Sequence, residues 1–348
     1  MNKQLIALAV LGAISAPAFA NDSSVTLYGR IEMGLEFYNN GDATDGSKGI
    51  SAQRVEGYAS RIGFKGEEKL GDGLSALWQV EQKVNVDSGS GTTFADRNSF
   101  VGLKGEFGTL LLGRHDTPFK ALNKYVDIMW GNAEQHEIIN NGKAAGMSLH
   151  TRRNNAIHYV SPKFSNMVIR AQFSPDEEKT STTNKNLFSF SGEYDDGTYF
   201  LGAAYEGQRD AVATGQDRKG YKLNGGVKLG DTTLGANYST IENENTKESD
   251  NWSFAVSHKM GNTTLKGIYG ISKVDDLKAP TKQLDVSMYG LEVDYSLSKR
   301  TAVYGLFTQI RNDRDAAAKF ENSTSPNTPV VKAGGDPRII SFGVRHSF

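Results

Sequence analysis

From Val25 onward the chain alternates apolar and polar residues with a period of two. Val25, Leu27, Gly29, Ile31, Met33, Leu35 and Phe37 fall on one face of an extended segment, and Thr26, Tyr28, Arg30, Glu32 and Glu36 on the other. Strands of sandwiches average about five or six residues, so a segment of about twelve with one apolar and one charged face suits a wall between hydrocarbon and water better. The same alternation predicts sixteen strands, at roughly 24–37, 58–67, 73–84, 97–104, 109–115, 153–160, 167–174, 186–194, 198–206, 220–229, 232–240, 251–260, 263–271, 284–296, 301–310 and 339–348. Proline cannot donate to a strand ladder, and Pro118, Pro162, Pro175, Pro280, Pro326, Pro329 and Pro337 all fall between these segments.

The connections alternate in length. Leu70-Gly71-Asp72-Gly73, Gly105 to Gly108, Asp195-Asp196-Gly197, Gly230-Asp231 and Gly261-Asn262 read as tight turns, whereas 38–57, 175–185, 207–219, 241–250, 272–283 and 311–338 read as long polar loops. Transmembrane barrels have short periplasmic turns and longer external loops, and an even strand count then puts both termini on the periplasmic side. The chain stops on a strand, Ile339 to Phe348, with Ile340, Phe342, Val344, His346 and Phe348 on one face. Such a strand can close the sheet against the first and leave no free edge.

The first twenty residues read as a cleaved secretory signal: Lys3, an apolar stretch from Leu5 to Ala16, and Ala18-Phe19-Ala20 before Asn21. The mature chain, 21–348, is then one domain. No later stretch reaches the roughly 18 consecutive apolar residues of a membrane helix. The chain has no cysteine, so an exported fold must be held by burial or an unbroken hydrogen-bond network. Without Lys3 there are 38 basic against 40 acidic residues, which gives no reason to expect nucleic acid as a partner. The 38% hydrophobic content fits either a soluble exported protein or a barrel whose average is polar because its strands alternate.

The whole mature chain resembles the neisserial-type general porins of β-proteobacteria. The residues that carry the resemblance are Val25-Thr26-Leu27-Tyr28-Gly29, Ser60 to Gly66 with Leu70 to Leu74, Phe100 to Gly105 with Phe107-Gly108, and Leu112-Gly113-Arg114. Asn154 to Ile157 with Tyr159 and Ser161-Pro162, Leu297 to Thr301, and the terminal Gly343 to Phe348 complete them. The resemblance implies an all-β, 16-stranded antiparallel transmembrane barrel in the outer membrane of a Gram-negative bacterium. It further implies a homotrimer, a third loop folded into the lumen, passive diffusion of ions and small hydrophilic solutes, and no enzymatic activity. Outer-membrane lipids and, through a terminal strand ending on Phe348, the membrane's assembly machinery are the further partners it implies.

The 37 residues from Asp116 to Arg152 are far longer than an ordinary connection and include Phe119, Ile128, Met129 and Trp130, more apolar matter than a solvated tip carries. The resemblance makes this the loop that narrows the pore, with Asp116, Asp127, Glu134 and Glu137 as its acidic side. Arg30, Arg61, Lys65 and Arg170 have lumen parity and form the candidate basic wall. Lys222 and Lys228 also face inward, in a wider section. Arg114 shares parity with Leu110 and Leu112, so it joins that wall only through a bulge or an early turn into the loop. Fixed guanidinium groups favour small anions, which predicts a weak to moderate anion preference. An inner face must be polar in any case, so no one of these residues is diagnostic alone.

The six histidines show no zinc-type spacing, and no phosphate-cradling, dinucleotide or nucleophile-elbow motif occurs, so neither a metal nor a cofactor is expected. Two other readings compete: a barrel with a specific binding or lipid-hydrolysing role, and a soluble exported sandwich. The first needs a serine and a histidine together, but Ser257-His258 and His346-Ser347 are sequence neighbours that point to opposite faces of a strand. The second calls for shorter strands and no alternation of turn and loop length.

Overall fold

The computed structural model describes residues 24–89, 93–129, 136–149, 151–320 and 328–348. The segment 1–20 that reads as a signal, Trp130 and Glu134 lie outside them. Strands β1 (Ser24–Asn39), β2 (Ser51–Gly57), β3 (Arg61–Gly71), β4 (Leu74–Lys83), β5 (Ser99–Gly105) and β6 (Gly108–Asp116) lead to the long loop. After it come β7 (Arg152–Val160), β8 (Met167–Ser174), β9 (Leu187–Asp195), β10 (Tyr199–Ala213), β11 (Gln216–Leu229) and β12 (Thr232–Asn243). The wall is completed by β13 (Lys247–Met260), β14 (Thr263–Asp276), β15 (Val286–Ser296), β16 (Thr301–Asn312) and β17 (Arg338–Ser347). Each pairs antiparallel with its neighbours, and β17 returns to β1 from Arg30↔Ser347 to Asn39↔Arg338, so the sheet is closed.

β2 and β3 are successive halves of one wall strand, since both pair with β1, and the barrel is therefore sixteen-stranded. Met33 faces Gly57 and Arg30 faces Arg61, which sets three residues, Tyr58, Ala59 and Ser60, against two. This is a bulge. Its ladder is patched by Ser60: the Glu32 N–H donates to Ser60 Oγ at 2.9 Å, and that hydroxyl lies 3.1 Å from Glu32 O. Ala59 turns the corner with φ +36°.

Polarity is inverted relative to a soluble protein. Leu201 and Leu291 on the outer face are each 64% exposed, while Ser239 and Ser253 on the inner face are fully covered. A wall that meets lipid outside and a polar lumen inside has this arrangement.

The strands run further than the alternation suggests. The stretches read as loops at 207–219 and 241–250 are mostly the ends of β10 to β13, joined by turns at 214–215 and 244–246, and 51–57 is strand as well. Beyond hydrocarbon both faces of a strand meet water, so the alternation stops while the ladder continues, and polar strand ends look like loop.

The inner face also carries an apolar patch that alternation with a wet lumen does not anticipate. Ala255, Ile268, Met288, Leu306 and Ile310 are buried there beneath Val126, Met129, Ile138 and Ile139 of the long loop and Ala316, Ala318 and Phe320 of the last loop. The last loop is held inward by Arg54, which donates to Thr328 Oγ1 at 2.6 Å, and by Asn40, which donates to Val330 O at 2.7 Å.

Candidate functional site: a cation-lined cavity inside the barrel

The long loop begins where β6 ends at Asp116. Thr117 caps a single turn, α1 (Pro118–Ala121), by accepting from the Lys120 N–H, and Pro118 starts the turn where its missing N–H costs nothing. Phe119 is fully buried and its N–H donates to Ser189 Oγ on the inner face of β9. Further along, Ser239 Oγ of β12 donates to Asn140 O at 2.7 Å and Ser253 Oγ of β13 to Asn140 Oδ1 at 2.5 Å. Between these points Tyr125 lies directly on Gly226 and Gly235. A Cβ at Gly235 would sit 2.2 Å from Tyr125 O, so only glycine lets the loop come this close. The loop thus rests against inward-facing side chains of β9 to β14.

What it leaves open is a cavity of about 920 Å³. Among the described residues its lining carries nine cations, Arg30, Arg61, Lys83, Arg97, Arg114, Lys120, Lys124, Arg152 and Arg153, against four carboxylates, Asp96, Asp116, Asp127 and Glu137. The excess is 9 − 4 = 5 positive charges. Several carboxylates are already engaged: Asp116 holds Lys120 at 2.7 Å and Arg152 at 3.1 Å, Glu137 meets Lys143 at 3.3 Å, and Asp96 Oδ1 accepts the Lys83 N–H at 2.8 Å. Glu81 lies on the same inner face beneath the lining, bonded to Arg97 and 3.8 Å from Arg61.

Of the basic candidates, Arg30, Arg61 and Arg114 line this cavity. Arg114 reaches it because β6 is bulged between Gly113 and His115, the first of the two alternatives open for it, and its guanidinium donates to Asp96 O at 2.9 Å and to Asn154. Lys65 and Arg170 do not line it. Lys65 is exposed over the Tyr28 ring at 5.3 Å, and Arg170 is paired with Glu193. Of the loop acids, Asp127 and Glu137 line the cavity, and Asp116 does so from the end of β6 rather than from the loop itself. The loop is not purely acidic, since it also delivers Lys120 and Lys124. Lys83, Arg97, Arg152 and Arg153 escaped sequence reading because they sit at strand ends and in loops, where parity carries no information. The Arg152-Arg153 doublet directly after the long loop was the one usable signal. Lys222 is not on a wide lumen wall at all; it is fully buried beneath the loop.

Four of the histidines, His115, His158, His258 and His346, have local partners. His115 stacks on His158 with ring centroids 4.0 Å apart, His258 Nδ1 lies 2.8 Å from Thr232 Oγ1, and His346 Nδ1 lies 2.9 Å from Thr301 Oγ1.

A family model described as Gram-negative porin matches residues 7–315. The chain belongs to that family. This porin is 29% identical over 331 residues to the major outer membrane protein P.IB of Neisseria gonorrhoeae, covering 87% of this chain and 91% of that one. It is 28% identical over 369 residues to outer membrane porin protein 32 of Delftia acidovorans, covering the whole of both. Among solved structures, the anion-selective porin from Comamonas acidovorans superposes with a TM-score of 0.81 at 23% identity, covering 94% of this chain and all of that one. Like its family, this porin forms a channel across the outer membrane of a Gram-negative bacterium for small hydrophilic solutes, and its relatives are channels rather than enzymes.

Proposed function

We propose that this porin is an anion-preferring diffusion pore, assembled as a homotrimer, whose third loop sets the narrowest section and whose selectivity arises in the cation-lined cavity. The observation that carries this reading is the five-charge excess of cations on that lining. Charges on a wide vestibule are screened over about 8 Å at physiological salt, whereas those in a narrow section act on an ion a few ångströms away. Carboxylates bound to Lys120, Arg152 and Lys143 spend their field locally. The anion selectivity named for the Comamonas acidovorans porin is consistent with this. The test is a single-channel recording across a KCl gradient: a reversal potential on the chloride side supports the reading, and one on the potassium side overturns it.

Assembly is the second part of the reading. Leu27, Phe342 and Val344 present an exposed apolar band beside the seam between β1 and β17, available to lipid or to neighbouring copies. A monomer by native mass measurement in mild detergent would sink the trimer. We assign Phe348 a part in both assembly and closure. Its N–H and C=O bond reciprocally with Gly29 at 3.1 Å, and its ring covers Gly29 so closely that a Cβ there would meet Cζ at 2.5 Å. Deleting Phe348 is expected to lower the fraction of chain recovered as heat-modifiable barrel several-fold, while the barrels that do form keep wild-type conductance. Equal recovery would count against this role.

A further inference from the structure

The geometry points to Lys222 as the positioning residue that clasps the third loop to the wall and so fixes the cations of the narrow section. Lys222 lies midway along β11, between the exposed Tyr221 and Leu223, and its inward side chain is only 1% exposed. Its ammonium donates to Phe119 O at 2.7 Å, to Asn141 Oδ1 at 2.5 Å and, more weakly, to Asn123 Oδ1 at 3.4 Å. It also stands 4.2 Å from the centroid of the Phe119 ring. Three N–H groups therefore meet three acceptors, all on the loop and on both of its limbs, since residues 119–123 descend and residue 141 returns. A buried charge is tolerable only when its hydrogen bonds are met, so withdrawing the loop would expose this ammonium or strand it. The wall holds one half of the clasp and the loop the other.

The segment that Lys222 grips carries the selectivity residues. Asn123 lies between Lys120 and Lys124, both of which line the cavity, and Phe119 precedes Lys120 directly. Lys222 itself is not part of the lining, so its charge does not face a passing ion; it acts through the place it gives to Lys120 and Lys124. This inference rests on the third loop being the narrow section.

The test is single-channel recording of Lys222→Met, reconstituted as the full-length barrel. The side chain stays long and unbranched, one heavy atom shorter, and loses its three donors. The expected result is a noisy channel, with occupancy of conductance substates raised roughly tenfold or more, the factor carried by losing hydrogen bonds to a charged group, together with a reversal potential displaced toward cations. Heat-modifiable migration should be retained, because the wall ladder is untouched. Restraint should then rescue it. Asn140→Cys with Ser253→Cys, whose side chains already meet across loop and wall, is expected to restore steady current to Lys222→Met when oxidised and to lose it again on reduction. If Lys222→Met does not assemble, Asn141→Ala removes an acceptor from the loop side and should produce the same noise. Steady current and an unmoved reversal potential in the variant that assembles would overturn the clasp. A chain lacking residues 137–146 separates the two ideas. If that shortening raises conductance while Lys222→Met changes nothing, only the clasp fails; if it leaves conductance unchanged, the reading of the loop as the narrow section fails.

Discussion

Changing Arg61 and Arg153 together to Gln is expected to lower the anion-to-cation permeability ratio roughly three- to tenfold, read as a shift of the reversal potential toward cations under a KCl gradient. A unit charge about 6 Å from an ion in a water-like medium is worth about 0.7 kcal/mol, with opposite signs for the two ions of a salt, and screening trims that value. Both residues line the cavity, and their loss takes its excess from five to three. Arg61 is suited to the test because the carboxylate nearest to it, Glu81 at 3.8 Å, is already bonded to Arg97. The shift should shrink as salt is raised. Arg170→Gln is the comparison: Arg170 lies outside the lining and is paired with Glu193, so it should move the potential far less. A silent double variant beside an effective Arg170→Gln would place the narrow section near β8 instead.

The second large effect belongs to the seam. Arg345 on β17 meets Glu32 of β1 at 3.0 Å, and Asp294 and Glu292 of β15 at 3.5 and 3.8 Å. Lys266 of β14 holds the same two β15 carboxylates at 2.6 and 2.7 Å, and Arg30 holds Glu32 at 3.2 Å. Three cations balance three carboxylates across four strands, all on side chains no more than 12% exposed. Removing one member leaves a buried negative charge uncompensated, a loss of roughly 3–5 kcal/mol in comparable buried pairs. Arg345→Leu is therefore expected to lower the unfolding midpoint of the barrel in urea clearly, and Glu32→Gln added to it should recover part of the loss. An unchanged midpoint in Arg345→Leu would show that the lumen solvates this network well enough to make it dispensable.

The wall was legible in the sequence because lipid on one face and water on the other impose a period of two directly on residue type. The sixteen strands, the proline-free ladders and the closing role of Ile339 to Phe348 follow from that one rule. What lay outside it was hidden for physical reasons. Lys222 has the same parity as any lumen-facing lysine, and only the return path of a distant loop decides that it is covered. Met288 and Ile310 break inner-face polarity because two loops, not water, lie against them. Arg97, Lys120 and Lys124 sit where no repeat operates. The candidate site was legible in kind, arginines facing a long loop, while its membership depended on how that loop folds back.

The bulge at Tyr58-Ala59-Ser60 has a consequence for how this gene can change length. Because three residues there oppose two on β1, inward positions are even-numbered through Arg54 and Glu56 and odd-numbered from Arg61 onward. Losing one residue at the bulge would set two residues against two and restore a continuous ladder with both halves in their present register and direction. Losing one within either half, with the bulge kept, would instead turn the part beyond it inside out. A deletion of the second kind would thrust lumen-facing charges such as Arg54, paired with Glu36 and Glu56, or Arg61 toward lipid, at about 2–4 kcal/mol for each cation near the midplane. Single-codon deletions are therefore best absorbed by this strand at its bulge, and its odd residue behaves as a removable spacer between two stretches whose numbering parity differs but whose side-chain directions agree.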